Sequence, residues 1–295
     1  TGSSNVAIGA ASLPVGTSVA GNVAVGFNSG LTATTGGFNT LVGYSAGSAI
    51  TSASNCVAIG IGSLNGGPGI VHTGNYNIAV GFSSLNSANN ISGTDNIGIG
   101  RSTLGALSTG NNNIGIGQNT LGTLSTGAGN VAIGEAAFNL NSTGNNGTAV
   151  GRNALEKATV SDLVAVGAGA LGLNTSGTQN TAVGRSALAT NLTGVNNTAV
   201  GFEALKVNVN SNNTAVGTSS QAGLLGGGNN TSVGANTLPV NLTGSSNTAI
   251  GASALAVATV SDLTAVGTAA LTANTTGANN TAVGRFALAA VVGTN

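Results

Sequence analysis

The sequence predicts an all-β chain that folds as a parallel β-solenoid (a β-roll or β-helix) of about seventeen coils, and three observations support this prediction. A five-residue pattern of Asn, a β-branched residue, a small residue, Val or Ile, and Gly recurs seventeen times in 295 residues. The spacing between successive closing glycines is most often 17 residues, too short for a pair of helices. Only six basic and six acidic residues occur, whereas 41% of the residues are hydrophobic, so the chain can bury a core.

The pentapeptide predicts a short strand, because β-branched residues favour strands and the neighbouring Gly, Asn and Ser favour turns. A common lead-in of Thr-Gly, two further residues and Asn, as in 193–197 and 276–280, predicts a tight turn. Stacking equivalent strands about 4.8 Å apart gives seventeen coils a length of roughly 80 Å. The closing glycines are Gly9, Gly26, Gly43, Gly60, Gly81, Gly100, Gly117, Gly134, Gly151, Gly167, Gly184, Gly201, Gly217, Gly234, Gly251, Gly267 and Gly284.

We expect residues 1–295 to form a single repeat domain. The repeat is irregular near 61–80 and 82–99, where two spacings between closing glycines are longer than 17 residues. The additional residues lie near 66–73 and 86–90, and we expect them to form surface excursions between coils.

A higher-order period begins at Gly151. Gly151, Gly201 and Gly251 are 50 residues apart, and the string ATVSDL at 158–163 returns at 258–263, 100 residues later. This pattern indicates duplication of blocks of coils.

Equivalent positions in the coils differ in the residues that they accept. The three residues before the closing glycine are Val, Ile or Thr, then Ala in thirteen coils, then always Val or Ile. The third residue after the glycine is always Ala, Ser or Thr, and the fourth is Leu in thirteen coils. None of these positions is charged, and charges are almost never buried unpaired, so we predict that these positions form the interior.

Both faces of the strand exclude charge, although one coil encloses only one of them. The other face is therefore expected to pack against a partner, and a second copy of the chain is the simplest candidate. Thirteen coils have Asn before the strand, and the others have Cys56, Gly147, Leu163 or Leu263. Two interpretations of this Asn column stay open: a stacked amide ladder, or a residue that merely tolerates a tight turn.

The strings NVAIG at 5–9 and 130–134 and NTAVG in later coils resemble the head repeats of trimeric autotransporter adhesins. The longer pattern at 196–205 and 279–288 is similar to repeats of bacteriophage tail fibres. The adhesin resemblance implies a left-handed parallel β-roll in a homotrimer. The 17-residue repeat is longer than is typical of adhesin heads, and no neck, stalk or anchor segment is evident.

We therefore expect an extracellular, cell-surface or virion-surface structural or adhesive fibre segment that associates with itself, as a trimer or a filament. A host-surface glycan or protein is a further expected partner. The near alternative is a bacteriophage tail-fibre shaft or receptor-binding segment. A distant alternative is an ice-binding solenoid, because Thr fills one column in many coils, although Val or Ile in the early coils of that column suggests burial.

The chain offers little for catalysis, and we expect no enzyme activity, no cofactor, no metal and no catalytic residue. His72 has no neighbouring metal ligands in the sequence, and we expect it in a surface loop. The six acids are scattered, and the single Cys56 indicates no particular compartment. The zero formal net charge gives no electrostatic attraction to nucleic acid, and no apolar run is long enough to insert in a membrane. No signal peptide is evident at the first residue.

The position directly after the closing glycine is the most interesting exposed column. Aromatic and Arg side chains on a regular ladder suit recognition of sugars or protein surfaces. A simpler interpretation is that this position is a coil corner, where aromatic rings cover the edge of the core. The candidate residues are Phe27, Tyr44, Phe82, Arg101, Arg152, Arg185, Phe202 and Arg285.

Overall fold

The computed structural model describes residues 2–15, 18–67, 69–224, 226–241 and 243–290. They contain strands and turns and no helix, and the chain divides into two compact units, Thr1–Gly147 (unit 1) and Thr148–Asn295 (unit 2). The division lies close to Gly151, where the 50-residue period of the sequence begins.

In its described residues, unit 1 contains eight three-residue strands, one for each closing glycine. They are β1 (Val6–Ile8), β2 (Val23–Val25), β3 (Thr40–Val42), β4 (Val57–Ile59), β5 (Ile78–Val80), β6 (Ile97–Ile99), β7 (Ile114–Ile116) and β8 (Val131–Ile133).

The part of unit 2 that the structure describes contains nine equivalent strands and five short ones. The nine are β9 (Thr148–Val150), β10 (Val164–Val166), β11 (Thr181–Val183), β12 (Thr198–Val200), β14 (Thr214–Val216), β16 (Thr231–Val233), β18 (Thr248–Ile250), β20 (Thr264–Val266) and β22 (Thr281–Val283). The short ones are β13 (Val207–Asn208), β15 (Gly223–Leu224), β17 (Val240–Asn241), β19 (Val257–Ala258) and β21 (Ala273–Asn274).

Within each unit the repeat strands pair in parallel with equivalent residues in register. Val23, Ala24 and Val25 of β2, for example, pair with Thr40, Leu41 and Val42 of β3. In unit 2 the short strands form a second parallel ladder on another side of the coils. The predicted parallel β-solenoid with a repeat of about 17 residues is confirmed, and the second ladder is an addition to it.

The closing glycine is required by both conformation and space. Gly184 has a φ of +133°, and a Cβ atom there would lie 2.3 Å from the carbonyl oxygen of Gly201 in the next coil. Other closing glycines repeat this arrangement, because successive coils approach closely at this corner.

The Leu column lies four residues after the glycine and has an unusual backbone. Leu104 and Leu188 are fully buried with φ values of 53° and 50°, in the left-handed region. Leu suits this position because it is large and apolar but not branched at Cβ, and β-branched residues tolerate positive φ poorly. Gly30 and Gly47 replace Leu at this position and keep the positive φ.

The interior comprises four of the predicted columns and one that the sequence did not reveal. Asn before the strand, Ala at its centre, the small residue and Leu are buried in most coils. The seventh residue after the glycine is also buried, as Leu107, Leu124, Asn141 and Ala158 show. A mixture of polar and apolar residues concealed this column in the sequence.

The prediction that the first and third strand residues are inside was wrong for the isolated chain. Val183 and Val200 are 37% and 36% exposed, whereas the residue before each of them, Ala182 or Ala199, is fully buried. The strand turns its Ala toward the core, so its β-branched residues point outward. Their freedom from charge therefore has a cause other than burial within the coil.

The Asn column forms a hydrogen-bonded ladder, so the first of the two interpretations is confirmed. Asn113 Oδ1 accepts hydrogen bonds from the backbone N–H and the Nδ2 of Asn130, at 3.1 and 3.0 Å. Asn113 Nδ2 donates to the carbonyl of Gly127 at 2.8 Å. Each buried amide thus joins its own coil to its neighbour, which satisfies polar groups that water cannot reach.

Candidate functional site: the outer face and the corner column

The outer face consists of the first and third residues of the repeat strands. In unit 1 the first residue is Val or Ile in every strand except β3, which has Thr40. The third residue is Val or Ile throughout, and Ile59, Ile99 and Ile133 are each about two-fifths exposed. Unit 1 therefore presents two adjacent ladders of aliphatic side chains to its surroundings.

The same face has a different composition in unit 2. Its first strand residue is Thr in every repeat strand except β10, which has Val164, while its third is again Val or Ile. Most of these Thr residues are half-buried and face outward. The burial of this column, which counted against an ice-binding surface, is therefore not found in the isolated chain.

The corner column is the position directly after the closing glycine, and all eight candidate recognition residues are exposed there. Phe27 and Tyr44 of consecutive coils stack with ring centroids 5.3 Å apart. The guanidinium of Arg185 lies 4.6 Å from the ring centroid of Phe202, and that of Arg285 lies 4.7 Å from that of Phe286. Within the described residues, Phe82 and Arg101 make no comparable ring contact.

A notch interrupts the corner column between Arg152 and Arg185. It is lined by these two residues and by Asn153, Ala168, Gly169 and Ser186. The sequence predicted that both arginines lie in the exposed column, but it did not predict the notch. The notch depends on the small Ala168, which stands between them in that column.

A second cleft lies beside the first insertion, and Thr32, Ser45, Ser48 and Asn65 supply its polar lining. Ser48 Oγ donates a hydrogen bond to Asn65 Oδ1, and the N–H of Gly66 donates to the same oxygen at 2.7 Å. These hydrogen bonds occupy the Asn65 oxygen internally, so less of it is available to a ligand.

His72 was expected in a surface loop, and this expectation was wrong. Its side chain is 1% exposed, and its backbone pairs with Ile50 in a parallel bridge. Nδ1 accepts a hydrogen bond from the N–H of Ile91 at 3.1 Å, while the buried Nε2 has no partner. Desolvation lowers the pKa of His72, so the structure favours the neutral imidazole.

Cys56 occupies the Asn column and is also buried. Burial raises the pKa of its thiol to about 11, so the reactive thiolate is scarce at neutral pH. Cys56 keeps the backbone hydrogen bond of the ladder, because its N–H donates to Asn39 Oδ1 at 2.8 Å. This environment is that of a structural cysteine.

The Asn-x-Thr sequences at 141–143 and 191–193 do not present their amides to solvent. Asn141 and Asn191 are fully buried, and their Nδ2 atoms donate to the carbonyls of Gly144 and Gly194 at 3.1 and 2.9 Å. Glycosylation of the folded chain at these amides would require the turn to open.

Neither a metal-binding cluster nor a membrane-spanning helix is found in the described ranges. No group of three His, Cys, Asp or Glu residues within them is arranged to bind a metal ion. Nor do these ranges include a helix of the length and apolarity that crossing a membrane requires.

Comparison of the chain with protein-family models finds no match, and comparison with curated proteins finds no significant match.

Proposed function

We propose that this chain is a structural segment of an extracellular, cell-surface or virion-surface fibre, and that copies associate side by side through the outer face. The observation that carries this proposal is the exposure of the aliphatic ladders in unit 1. They extend over eight strands without a charged residue, and large exposed apolar patches on soluble proteins usually mark interaction sites.

A second copy of the chain suits this face better than an unrelated partner. Its side chains repeat at the strand spacing, so parallel copies in register would form the same contact at each coil. No charged residue stands on the face to repel its equivalent in another copy. The resemblance to adhesin heads favours a trimer, and end-to-end stacking of coils would extend the assembly into a filament.

Association is tested by light scattering of the full chain at micromolar concentration. We expect a multimer, and we expect Ile59→Lys combined with Ile99→Lys to prevent it, because two charges would enter the apolar interface. A matched control places the same charges off the face, as Ile61→Lys with Gln118→Lys, and should still associate. A native chain that stays monomeric would reject the proposed assembly.

The same outer face suits a bacteriophage tail-fibre shaft or receptor-binding segment. This alternative differs from a cell-surface fibre in whether the fibre belongs to a virion or to a cell. Imaging the native assembly on a cell or a virion decides between them.

The outward Thr column of unit 2 favours a second candidate function, binding to ice. Regularly spaced hydroxyl and methyl groups on a flat ladder suit an ordered water lattice. Thermal hysteresis of the full chain is the test, with Thr198→Lys combined with Thr214→Lys as the variant expected to abolish it. Absence of hysteresis in the native chain would remove this candidate.

A further inference from the structure

Two of the five basic residues of unit 2 lie beside the notch in the corner column. Arg152 and Arg185 belong to coils separated by one intervening coil, which has Ala168 at the same position. Their backbones are therefore about 9.6 Å apart, twice the strand spacing. The short side chains of Ala168 and Gly169 leave the space between the arginines unfilled.

The backbone around the notch is fixed by hydrogen bonds between coils. The N–H of Gly169 donates to the carbonyl of Arg152 at 2.9 Å, and the N–H of Ser186 donates to the carbonyl of Ala168 at 3.0 Å. The Phe202 ring supports the Arg185 guanidinium. The arginines are thus displayed from a rigid surface, which reduces the entropy lost on binding a ligand.

Within the described residues, neither Arg152 nor Arg185 has an acidic side chain at ion-pair distance, and the ion pair found there joins Lys206 to Glu203 at 3.0 Å. Two arginines beside one cavity therefore keep their full capacity to bind an anion.

We propose that the notch binds the carboxylate or sulfate group of an acidic polysaccharide. Guanidinium groups form paired hydrogen bonds with such oxyanions, and the Asn153 and Ser186 side chains supply further polar groups at the walls. The exposed Phe202 ring beside Arg185 offers an apolar surface for a sugar ring. Nucleic acid is disfavoured, because the chain has no basic stripe to follow a phosphate backbone.

This inference rests on the proposed role as a surface fibre, where lateral assembly would place several notches along one polysaccharide. Repetition of a weak site in this way increases the overall affinity.

The test is calorimetric titration of the full chain, at low salt, with polygalacturonate and with dextran sulfate. Neutral dextran, inorganic sulfate and single-stranded DNA are the comparison ligands. We expect Arg152→Gln or Arg185→Gln to weaken polysaccharide binding about tenfold, and the double variant to abolish it. Lys157→Gln and Lys206→Gln remove positive charge from positions of unit 2 outside the notch and should leave the affinity within about twofold of the native value, since a contact outside the site contributes little.

Ala168→Phe separates the shape of the notch from its charge. The corner column accepts Phe at 27, 82 and 202, so the variant should fold, which its melting curve verifies. It keeps both arginines but fills the notch, and we expect it to lose binding. Native-like binding by Ala168→Phe, or equal losses in the two control variants, would show only diffuse charge attraction and overturn the inference.

The remaining outcomes are equally decisive. Binding of sulfate or DNA without binding of either acidic polysaccharide would overturn the ligand class. Light scattering on the same samples distinguishes the two proposals: a monomer that binds polysaccharide rejects the assembly alone, whereas a multimer that does not bind it rejects the notch alone.

Discussion

The two units have almost the same interior and different outer faces. In both, Ala and the small column are buried in most coils, and the third strand residue is Val or Ile in every repeat strand. The first strand residue, however, is mainly Val or Ile in unit 1 and mainly Thr in unit 2. The interior is constrained by the close stacking of coils, whereas the outward column varies, so differences in function between the units are expected there.

The interior and the outer face should respond very differently to charge, and this is the largest effect that we expect. Ala182→Asp places an unpaired carboxylate in a fully buried stack and should destabilise unit 2 by several kcal/mol. Val183→Asp, one residue later, lies on the outer face and should cost much less in the unassociated chain. Ala58→Asp and Ile59→Asp form the matched pair in unit 1.

Thermal unfolding followed by circular dichroism measures all four variants. Equal losses within a pair would contradict the assignment of Ala inward and of Val or Ile outward. A loss confined to one unit would instead show that the two interiors are less alike than their burial indicates.

Interruptions of the Leu column also differ between the units. Unit 1 has Gly30 and Gly47, and Leu41 fills the neighbouring space, since a Cβ on Gly47 would lie 2.6 Å from Leu41 Cδ2. Unit 2 has the buried Gln221, whose Oε1 has no hydrogen-bond partner. Gln221 has a φ of 49°, the conformation that Leu adopts at the equivalent position.

Gln221→Leu is therefore expected to stabilise unit 2 by about 1 kcal/mol, because it removes an unsatisfied buried oxygen. Gly47→Leu is the contrasting variant and should destabilise unit 1, because Leu41 already occupies the space. The melting temperatures of both variants test this expectation. A lower melting temperature for Gln221→Leu would show that the hydrogen bond from Gln221 Nε2 to the Thr214 carbonyl, at 3.3 Å, contributes more than the unsatisfied oxygen costs.

The smallest effect that we expect is a loss of stability at acidic pH that is confined to unit 1. His72 belongs to unit 1, and unit 2 contains no histidine. The folded-state pKa of His72 is lowered, so the unfolded chain binds the proton more readily than the folded chain. Unit 1 should accordingly keep its full stability above pH 6.5 and lose stability as the pH falls below that value.

Amide hydrogen exchange at Ile91, whose N–H binds His72 Nδ1, reports this change locally. We expect faster exchange at pH 5.5 than at pH 7, after correction for intrinsic rates, and none of this dependence in His72→Leu. An equal acid response in unit 2 would contradict the role of His72.

Much of the backbone was predictable because every coil repeats the same constraints. The closing glycine, the β-branched strand and the Asn column predicted the parallel stack, and each has a direct physical counterpart in the structure. The direction in which the strand faces was not predictable from charge alone, because an outward face that avoids charge looks the same in sequence as an inward one. Val183 and Val200 illustrate this ambiguity.

The candidate site was predictable only in part. The exposure of the corner column followed from the charges it accepts, but the notch depends on Ala168 being small between two arginines. His72 was misplaced because its burial depends on Ile50 and Ile91, which lie in neighbouring coils and are distant in sequence. Residues that depart from the repeat also compensate for one another. A Cβ on Gly147 would lie 2.2 Å from Cε1 of Phe138, so Phe in the Leu column requires Gly in the Asn column.

The Asn ladder has a consequence for how the length of such a chain can vary. Asn180 Oδ1 accepts the N–H of Asn197 at 2.9 Å, and Asn197 Oδ1 accepts that of Asn213 at the same distance. Removing residues 181–197 would bring Asn180 next to Thr198 and leave every remaining coil with an equivalent neighbour. The ladder also accepts a coil that is one residue shorter, because these two hydrogen bonds span 17 and 16 residues. The gene can therefore lengthen or shorten this protein in whole-coil steps, and a coil can differ by one residue where the change lies away from the Asn ladder.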